Sequence, residues 1–365
     1  MPRPISWWSP QMTGHELALV KDVLDSNYIN DGDVTDQFAQ RIAKLTGAEF
    51  AVGVTSGTAA IYLSLMALGI GHGDEVIVPD ITFIATANAV SMTGAIPVLA
   101  DVDAETLNLS VRAMEATITS KTKAVVPVHV SGRAADIEQI VALALKHGFA
   151  VVEDAAEGFC SRFKNRCLGT FGQTGCFSFS PAKMITTGQG GVIVTNDEAM
   201  FRRLRELKDQ GRPVRGTGGA DVHDSIGFNF KLTNLQAAVG LGQLKNLEPR
   251  MERVRRNYSI YREDLSGTKG IRILPFKIDA GEQPQWVDAL AERRDDLDDF
   301  LAKNGAGCRR FWFPLHTQKP YLRDGKDFPV STRVGKQAVW LPSAFQMTDD
   351  DVRSVCRLIK EFYNT

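Results

Sequence analysis

The sequence carries no excess charge: Lys and Arg number 42 against 43 Asp and Glu, for a formal net charge of -1. A balanced chain offers no field for gathering nucleic acid or an anionic membrane surface, so any bound anion is caught by a local site. Cysteine is also scarce. Cys160, Cys167, Cys176, Cys308 and Cys356 form an odd, scattered set without a Cys-x-x-Cys pair, which argues against a disulfide framework or a zinc site. No run approaches the roughly 18 apolar residues of a spanning helix. The start, Met1 to Pro10, lacks the apolar core and small-residue cleavage pattern of a signal peptide. These absences predict a cytoplasmic protein with reduced thiols, no bound metal and no membrane or nucleic-acid partner. Missing too is a Gly-x-Gly-x-x-Gly run after the first strand candidate, which a nicotinamide-dependent oxidoreductase of doubly wound fold would show.

What is present is a long α/β rhythm. Between residues 50 and 200, short β-branched runs recur at Glu75–Pro79, Ile96–Ala100, Ala124–Val130, Ala150–Glu153, Cys176–Phe179 and Gly191–Thr195. Helix-like stretches lie between most of them, at Thr58–Leu68, Thr82–Met92, Val111–Ile118 and Ala134–Lys146. Strands without polar alternation, separated by helices, predict a mostly parallel sheet covered on both faces, a three-layer α/β sandwich. Ligands of such sheets sit at the carboxyl ends of the strands. From Thr233 to Leu265 the pattern is helical, and its charged, amphipathic second half suits a helix joining two domains. Shorter strand candidates (Ile271–Leu274, Arg310–Phe313) and helices (Asp295–Lys303, Asp349–Phe362) predict a smaller α/β domain. The expected division of the 365 residues is an N-terminal segment 1–30, a large domain 31–248 and a small C-terminal domain 249–365. The Gly-rich stretch Arg212–Val222 is the candidate mobile loop.

Four segments offer chemistry at strand exits. Val54-Thr-Ser-Gly-Thr58 runs from a strand into a helix, where free N–H groups attract phosphate and a glycine lets a ligand approach the backbone. Taken alone, its plainer reading is an N-cap with a turn glycine. Asp154, just past a buried strand, is costly to desolvate without a cationic partner. A protonated pyridine nitrogen is one such partner, and capping of the next helix is the plainer reading. Lys183 follows an apolar strand and precedes a Gly-rich run, a setting in which desolvation favours the neutral amine needed for imine formation, while an ordinary lysine at a strand exit is the plainer reading of this segment alone. Phe83 could stack on a heterocycle or fill the core.

Taken in order, these elements resemble the DegT/DnrJ/EryC1/StrS family of sugar aminotransferases. The resemblance runs over about residues 5 to 250 through Gly69–Pro79, Thr82–Thr86, Gly94–Val98, Thr122–His129, Glu153–Ala156, Phe177–Phe179, Lys183, Gly227–Asn229 and Gln236–Ala238, with a weaker echo at Phe313–Gln318. It implies the fold of type I pyridoxal-phosphate transferases. Lys183 then matches the lysine that holds the cofactor as a Schiff base, and Asp154 the partner of the pyridine nitrogen. Glu157, where many members have Gln, would lie near the 3′-oxygen. Gly57, Thr58 and Ser178 match the phosphate cradle and Phe83 the aromatic over the ring. Asn229 matches a residue reaching the phosphate from a neighbouring subunit, implying a homodimer with shared sites. Arg309 and His316 resemble small-domain positions near the nucleotide-sugar end of the substrate, and His129 is either a site neighbour or a satisfied core residue.

The resemblance implies L-glutamate as amino donor and a nucleotide-linked keto-sugar as acceptor. Asp154-Ala-Ala-Glu157 leans toward members acting at sugar C4, notably GDP-perosamine synthases, with UDP- or dTDP-linked sugars as the alternative. Family members that are sugar 3-dehydratases carry His where Lys183 stands. Gln189, Lys231 and Gln173 replace the usual Glu, Arg and Asp of the family without removing a group that transamination requires.

Overall fold

The computed structural model describes residues 4–214 and 221–364, so part of the expected Arg212–Val222 loop lies outside the described residues. Nine strands form the N-terminal part: β1 (Phe50–Val54), β2 (Glu75–Pro79), β3 (Ile96–Ala100), β4 (Thr122–Val125), β5 (Ala150–Asp154), the short hairpin β6 (Arg162–Phe163) and β7 (Arg166–Cys167), β8 (Thr174–Ser178) and β9 (Gly191–Thr195). Seven of them make one sheet in the order β1-β9-β8-β5-β4-β2-β3. β9 runs antiparallel to both neighbours, while the remaining pairings are parallel. Successive side chains of a strand face opposite ways, and here both faces are buried. Val76, Val78 and Val152 pack with Ala60, Leu63 and Leu65 of the helix Gly57–Ala67. Ile77, Val125 and Val151 pack with Ile137 and Ile140 of the helix Ile137–His147. Burial on both sides is why these strands read as unbroken apolar runs.

The single helix expected over Thr233–Leu265 is two, Asn234–Leu244 and Leu247–Asp264. The break has a local cause in Pro249, whose ring would clash with the carbonyl of Lys245 and which has no N–H to continue the ladder. The first helix is set by a capping box, the Thr233 hydroxyl accepting from Gln236 N–H and the Gln236 side chain from Thr233 N–H.

A second, antiparallel sheet follows: β10 (Ile271–Ile273), β11 (Val287–Ala291), β12 (Arg309–Arg310) and β13 (Ala338–Leu341), in the order β10-β11-β13-β12. Helices Leu247–Asp264, Arg294–Lys303 and Asp349–Asn364 bury its core, with Ile260, Leu301, Val355 and Ile359 fully enclosed. The N-terminal segment joins this sheet, Ile5 bridging Ala306 in parallel register. The strand expected at Arg310–Phe313 is confined to Arg309–Arg310, and β11 and β13 had no counterpart in the sequence reading. Among the described residues no helix is long and apolar enough to cross a membrane.

Candidate active site

The carboxyl ends of β1, β2, β4, β5 and β8 open on one cavity of about 310 Å³ whose lining includes Gly57, Thr58, Phe83, Asp154, Glu157, Ser178, Lys183 and Arg309. Residues as far apart in sequence as Gly57 and Arg309 thus meet where the parallel-strand rule places a ligand. Asn229 does not border the cavity of its own chain; it bridges Asp209. His316 is also absent from the lining. It is buried, with Nδ1 2.6 Å from Asp80 Oδ2, its backbone N–H donating to Asp80 Oδ1 at 2.8 Å and its ring stacked on Phe328.

The helix Gly57–Ala67 points its N-terminus at the cavity. Ser56 caps it by accepting from Ala59 N–H at 3.1 Å. The N–H groups of the first turn have no intrahelical acceptor, which makes this end a place for an anion. Glycine is required at residue 57, because a Cβ there would lie 2.8 Å from Ser178 Cβ. The same close approach brings the Ser178 hydroxyl beside the helix end.

Asp154, the last residue of β5, is 6% exposed. Its Oδ2 accepts from Thr86 Oγ1 at 2.7 Å and its Oδ1 from Ala156 N–H at 3.1 Å. Burial pushes this carboxyl up from its ordinary value, opposed by those bonds and by the Lys183 charge. Such a carboxylate holds its charge best opposite a cation. Glu157 is equally enclosed; burial pushes it up, and Lys183 is the main opposing influence. Lys183 Nζ donates to Glu157 Oε1 at 3.2 Å and lies 4.9 Å from the centre of the Trp286 ring. The loop carrying Lys183 joins two buried strands, β8 and β9, so the amine emerges from the core instead of from solvent.

His129 resolves as a core residue. Its Nδ1 accepts from Ala135 N–H at 3.2 Å, so the ring proton sits on Nε2, which donates to Glu153 Oε2 at 2.9 Å. Glu153 also accepts from the N–H groups of Gly169, Phe171 and Gly172. Every polar atom of the pair is satisfied inside the fold, and neither residue lines the cavity. Gln173, at the unusual position noted above, is a turn clasp: its side chain accepts from Val151 N–H at 2.7 Å.

The cavity also contains residues that the sequence reading missed. Trp286, Trp312 and Trp340 line it, as do Ser180 and the buried Thr82. Arg309 lies over Trp7 and Trp340, at 4.9 and 5.5 Å from their ring centres, so its charge is held over aromatic faces at the cavity edge. These tryptophans come from or adjoin the small sheet. The one available signal was compositional, since the chain has only 5 tryptophans.

The residues fit pyridoxal phosphate. A helix end suits the phosphate, a buried carboxylate suits a protonated pyridine nitrogen, and the Lys183 amine lines the same cavity. Residues 10–360 match the DegT/DnrJ/EryC1/StrS aminotransferase family. The chain is 37% identical over 361 residues to a GDP-perosamine synthase of Escherichia coli O157:H7, covering 98% of each chain. A solved DegT DnrJ EryC1 StrS aminotransferase from Brucella abortus superposes with a TM-score of 0.90 at 30% identity, covering 96% of both chains. Spr1654 of Streptococcus pneumoniae, solved in its PLP form, gives a TM-score of 0.93 at 25% identity over 99% of both chains. The chain belongs to the DegT/DnrJ/EryC1/StrS aminotransferase family, and its cofactor is pyridoxal 5′-phosphate.

Proposed function

We propose that this enzyme transfers the amino group of L-glutamate to C4 of a nucleotide-linked keto-sugar, GDP-4-keto-6-deoxymannose being the preferred acceptor and GDP-perosamine the product. The observation that carries this reading is the meeting of Lys183, Asp154 and Glu157 with the Gly57 helix end in one cavity. The GDP-sugar assignment draws on the likeness to a GDP-perosamine synthase across nearly the whole chain.

When bound, pyridoxal phosphate supplies an electron sink and stores the amino group between half-reactions. Gly57, Thr58 and Ser178 hold its phosphate, Asn229 of a second subunit completes that cradle, and the active unit is a homodimer. Asp154 keeps a proton on the ring nitrogen. Phe83, about half exposed at the rim, covers the ring face. Lys183 Nζ holds and moves the proton at the reacting carbon, and Glu157 orients that amine through the 3.2 Å contact. Arg309 meets the substrate's phosphates, for which its fork of donors is suited. His316 acts near the nucleotide-sugar end by shaping the segment that follows Trp312. Residues 31–248 form the cofactor domain and 249–365 the substrate-side domain, working in the cytoplasm.

The test is to convert the enzyme with glutamate and then offer GDP-, UDP- and dTDP-linked keto-sugars, following the cofactor's visible band. Restoration by the GDP sugar, with product carrying an amine at C4, is expected. Restoration by only a UDP or dTDP sugar moves the nucleotide assignment, and restoration by none removes the sugar reading. Lys183→Ala should abolish turnover while retaining pyridoxamine phosphate. Full transaminase activity in that variant would refute the role of Lys183.

A further inference from the structure

The segment leading into β11 threads between the two elements that carry the site's amine and its carboxylate. Gln283 N–H donates to Ser161 Oγ at 3.0 Å, and that hydroxyl donates to the Gly132 carbonyl at 2.6 Å. A Cβ on Gly132 would sit 2.0 Å from the Gln283 carbonyl oxygen, and its φ is +97°, so only glycine admits the segment here. Two residues on, Gln285 N–H donates to the Ser131 carbonyl at 2.8 Å. The N–H of Ser131 in turn donates to Glu157 Oε2 at 2.9 Å.

The other side of Gln285 reaches the lysine. Its side chain, in a residue 2% exposed, donates from Nε2 to the Ala182 carbonyl at 3.3 Å and accepts at Oε1 from Met184 N–H at 3.1 Å. One planar amide therefore spans the two peptide units that flank Lys183. A primary amide offers a donor and an acceptor side by side, and only one orientation satisfies both partners. The Lys183 loop contains no regular secondary structure from residue 179 to 190; Lys183 N–H donates to the Ser180 carbonyl at 3.1 Å within it, and the Gln285 side chain ties it to the small sheet. Arg250 adds a bond to the Met184 carbonyl at 3.3 Å.

We propose that Gln285 is a positioning residue for the catalytic amine: it fixes the backbone on both sides of Lys183 and, through Ser131, ties that backbone to Glu157. Gln285, at the edge of the small sheet, thus contacts both the backbone that carries the amine and the segment that holds the carboxylate orienting it. This rests on the reading of Lys183 as the lysine that carries the cofactor.

Gln285→Met keeps the length of the side chain and removes both bonds; Gln285→Glu keeps the acceptor for Met184 and sets an oxygen against the Ala182 carbonyl. Each variant, freed of cofactor and checked for native circular dichroism, is titrated with pyridoxal phosphate and separately with pyridoxamine phosphate. The first ligand bonds to Lys183, whereas the second cannot and reads only the remaining contacts. A misplacement of the amine should slow covalent capture of pyridoxal phosphate about 10- to 100-fold while leaving pyridoxamine phosphate affinity within about threefold. Equal losses for both ligands, or no loss for either, in a folded variant would overturn the proposal; if the Met variant does not fold, the Glu variant decides. Failure of the unaltered protein to capture pyridoxal phosphate would instead strike at the Lys183 reading itself.

Discussion

Asp288 on β11 is fully buried and pairs with the Arg133 guanidinium, itself 1% exposed. It also accepts from Ser131 Oγ at 2.9 Å, the serine whose N–H holds Glu157. Asp288→Asn preserves the shape and removes the charge. Arg133 is left with Nε donating to the Thr106 carbonyl at 2.9 Å and the face of Phe276 at 4.6 Å, while its NH1 has no partner. Removing one member of a buried ion pair costs about 3–5 kcal/mol, because the survivor stays charged without compensation. At about 2 °C per kcal/mol for a long chain, the unfolding midpoint should fall by about 6–10 °C. The assay is thermal denaturation of Asp288→Asn, Arg133→Met and the double variant Arg133→Met/Asp288→Leu. The double variant should recover most of the loss, since an apolar pair of similar volume replaces a costly buried one. A fall under about 2 °C for Asp288→Asn, or a double variant no better than the sum of the singles, would refute this account.

Two further outcomes follow from the geometry. Gly57→Ala places a Cβ 2.8 Å from Ser178 Cβ, and overpacking of that kind costs about 1–3 kcal/mol, so cofactor affinity measured by titration should fall about tenfold or more with the fold intact. Hydrogen bonds from Arg256, then Arg253, hold the Asp349 carboxyl down at about 2. Its contribution is therefore complete above the unfolded value of about 3.9 and is lost as pH falls through about 2. Because the pair is largely solvated, the gain is below about 1 kcal/mol, and the stability gap between the protein and Asp349→Asn should be small at pH 7 and close at pH 2.

The parts of the fold that were legible share one physical property: their local sequence and their tertiary environment agree. β2, β3 and β9 fall within the bounds that the apolar runs predicted, because strands buried on both faces need no alternation to mark them. Asp154 and Gly57 were findable for the same reason, each standing at or just past the exit of a strand, whereas Ser178 came only with the family resemblance. The antiparallel course of β9 carried a local signal that went unused, since no helix stands between β8 and β9 to make the crossover a parallel pair requires. Pro249 did carry a signal for the break between residues 244 and 247, overridden by the continuous amphipathic pattern around it.

The small sheet hid its half of the cavity by a different route. β11 reads Val287-Asp-Ala-Leu-Ala291, and the charged residue at its second position looks like a solvated loop until Arg133, 155 positions upstream, is brought against it. A strand that depends on a distant counter-charge cannot be read locally, and Trp286 and Gln285 were lost along with it. Yet rarity could have found them. The 5 tryptophans form one connected group: Trp7 and Trp8 lie 5.6 and 6.2 Å from Trp286, which lies 5.0 Å from Trp340, with Trp312 a further 5.1 Å on. Trp286, Trp312 and Trp340 of this group line the cavity, while Trp7 and Trp8 pack against Trp286. Trp286 lies 4.9 Å from Lys183 Nζ, so indole emission should report what the lysine holds.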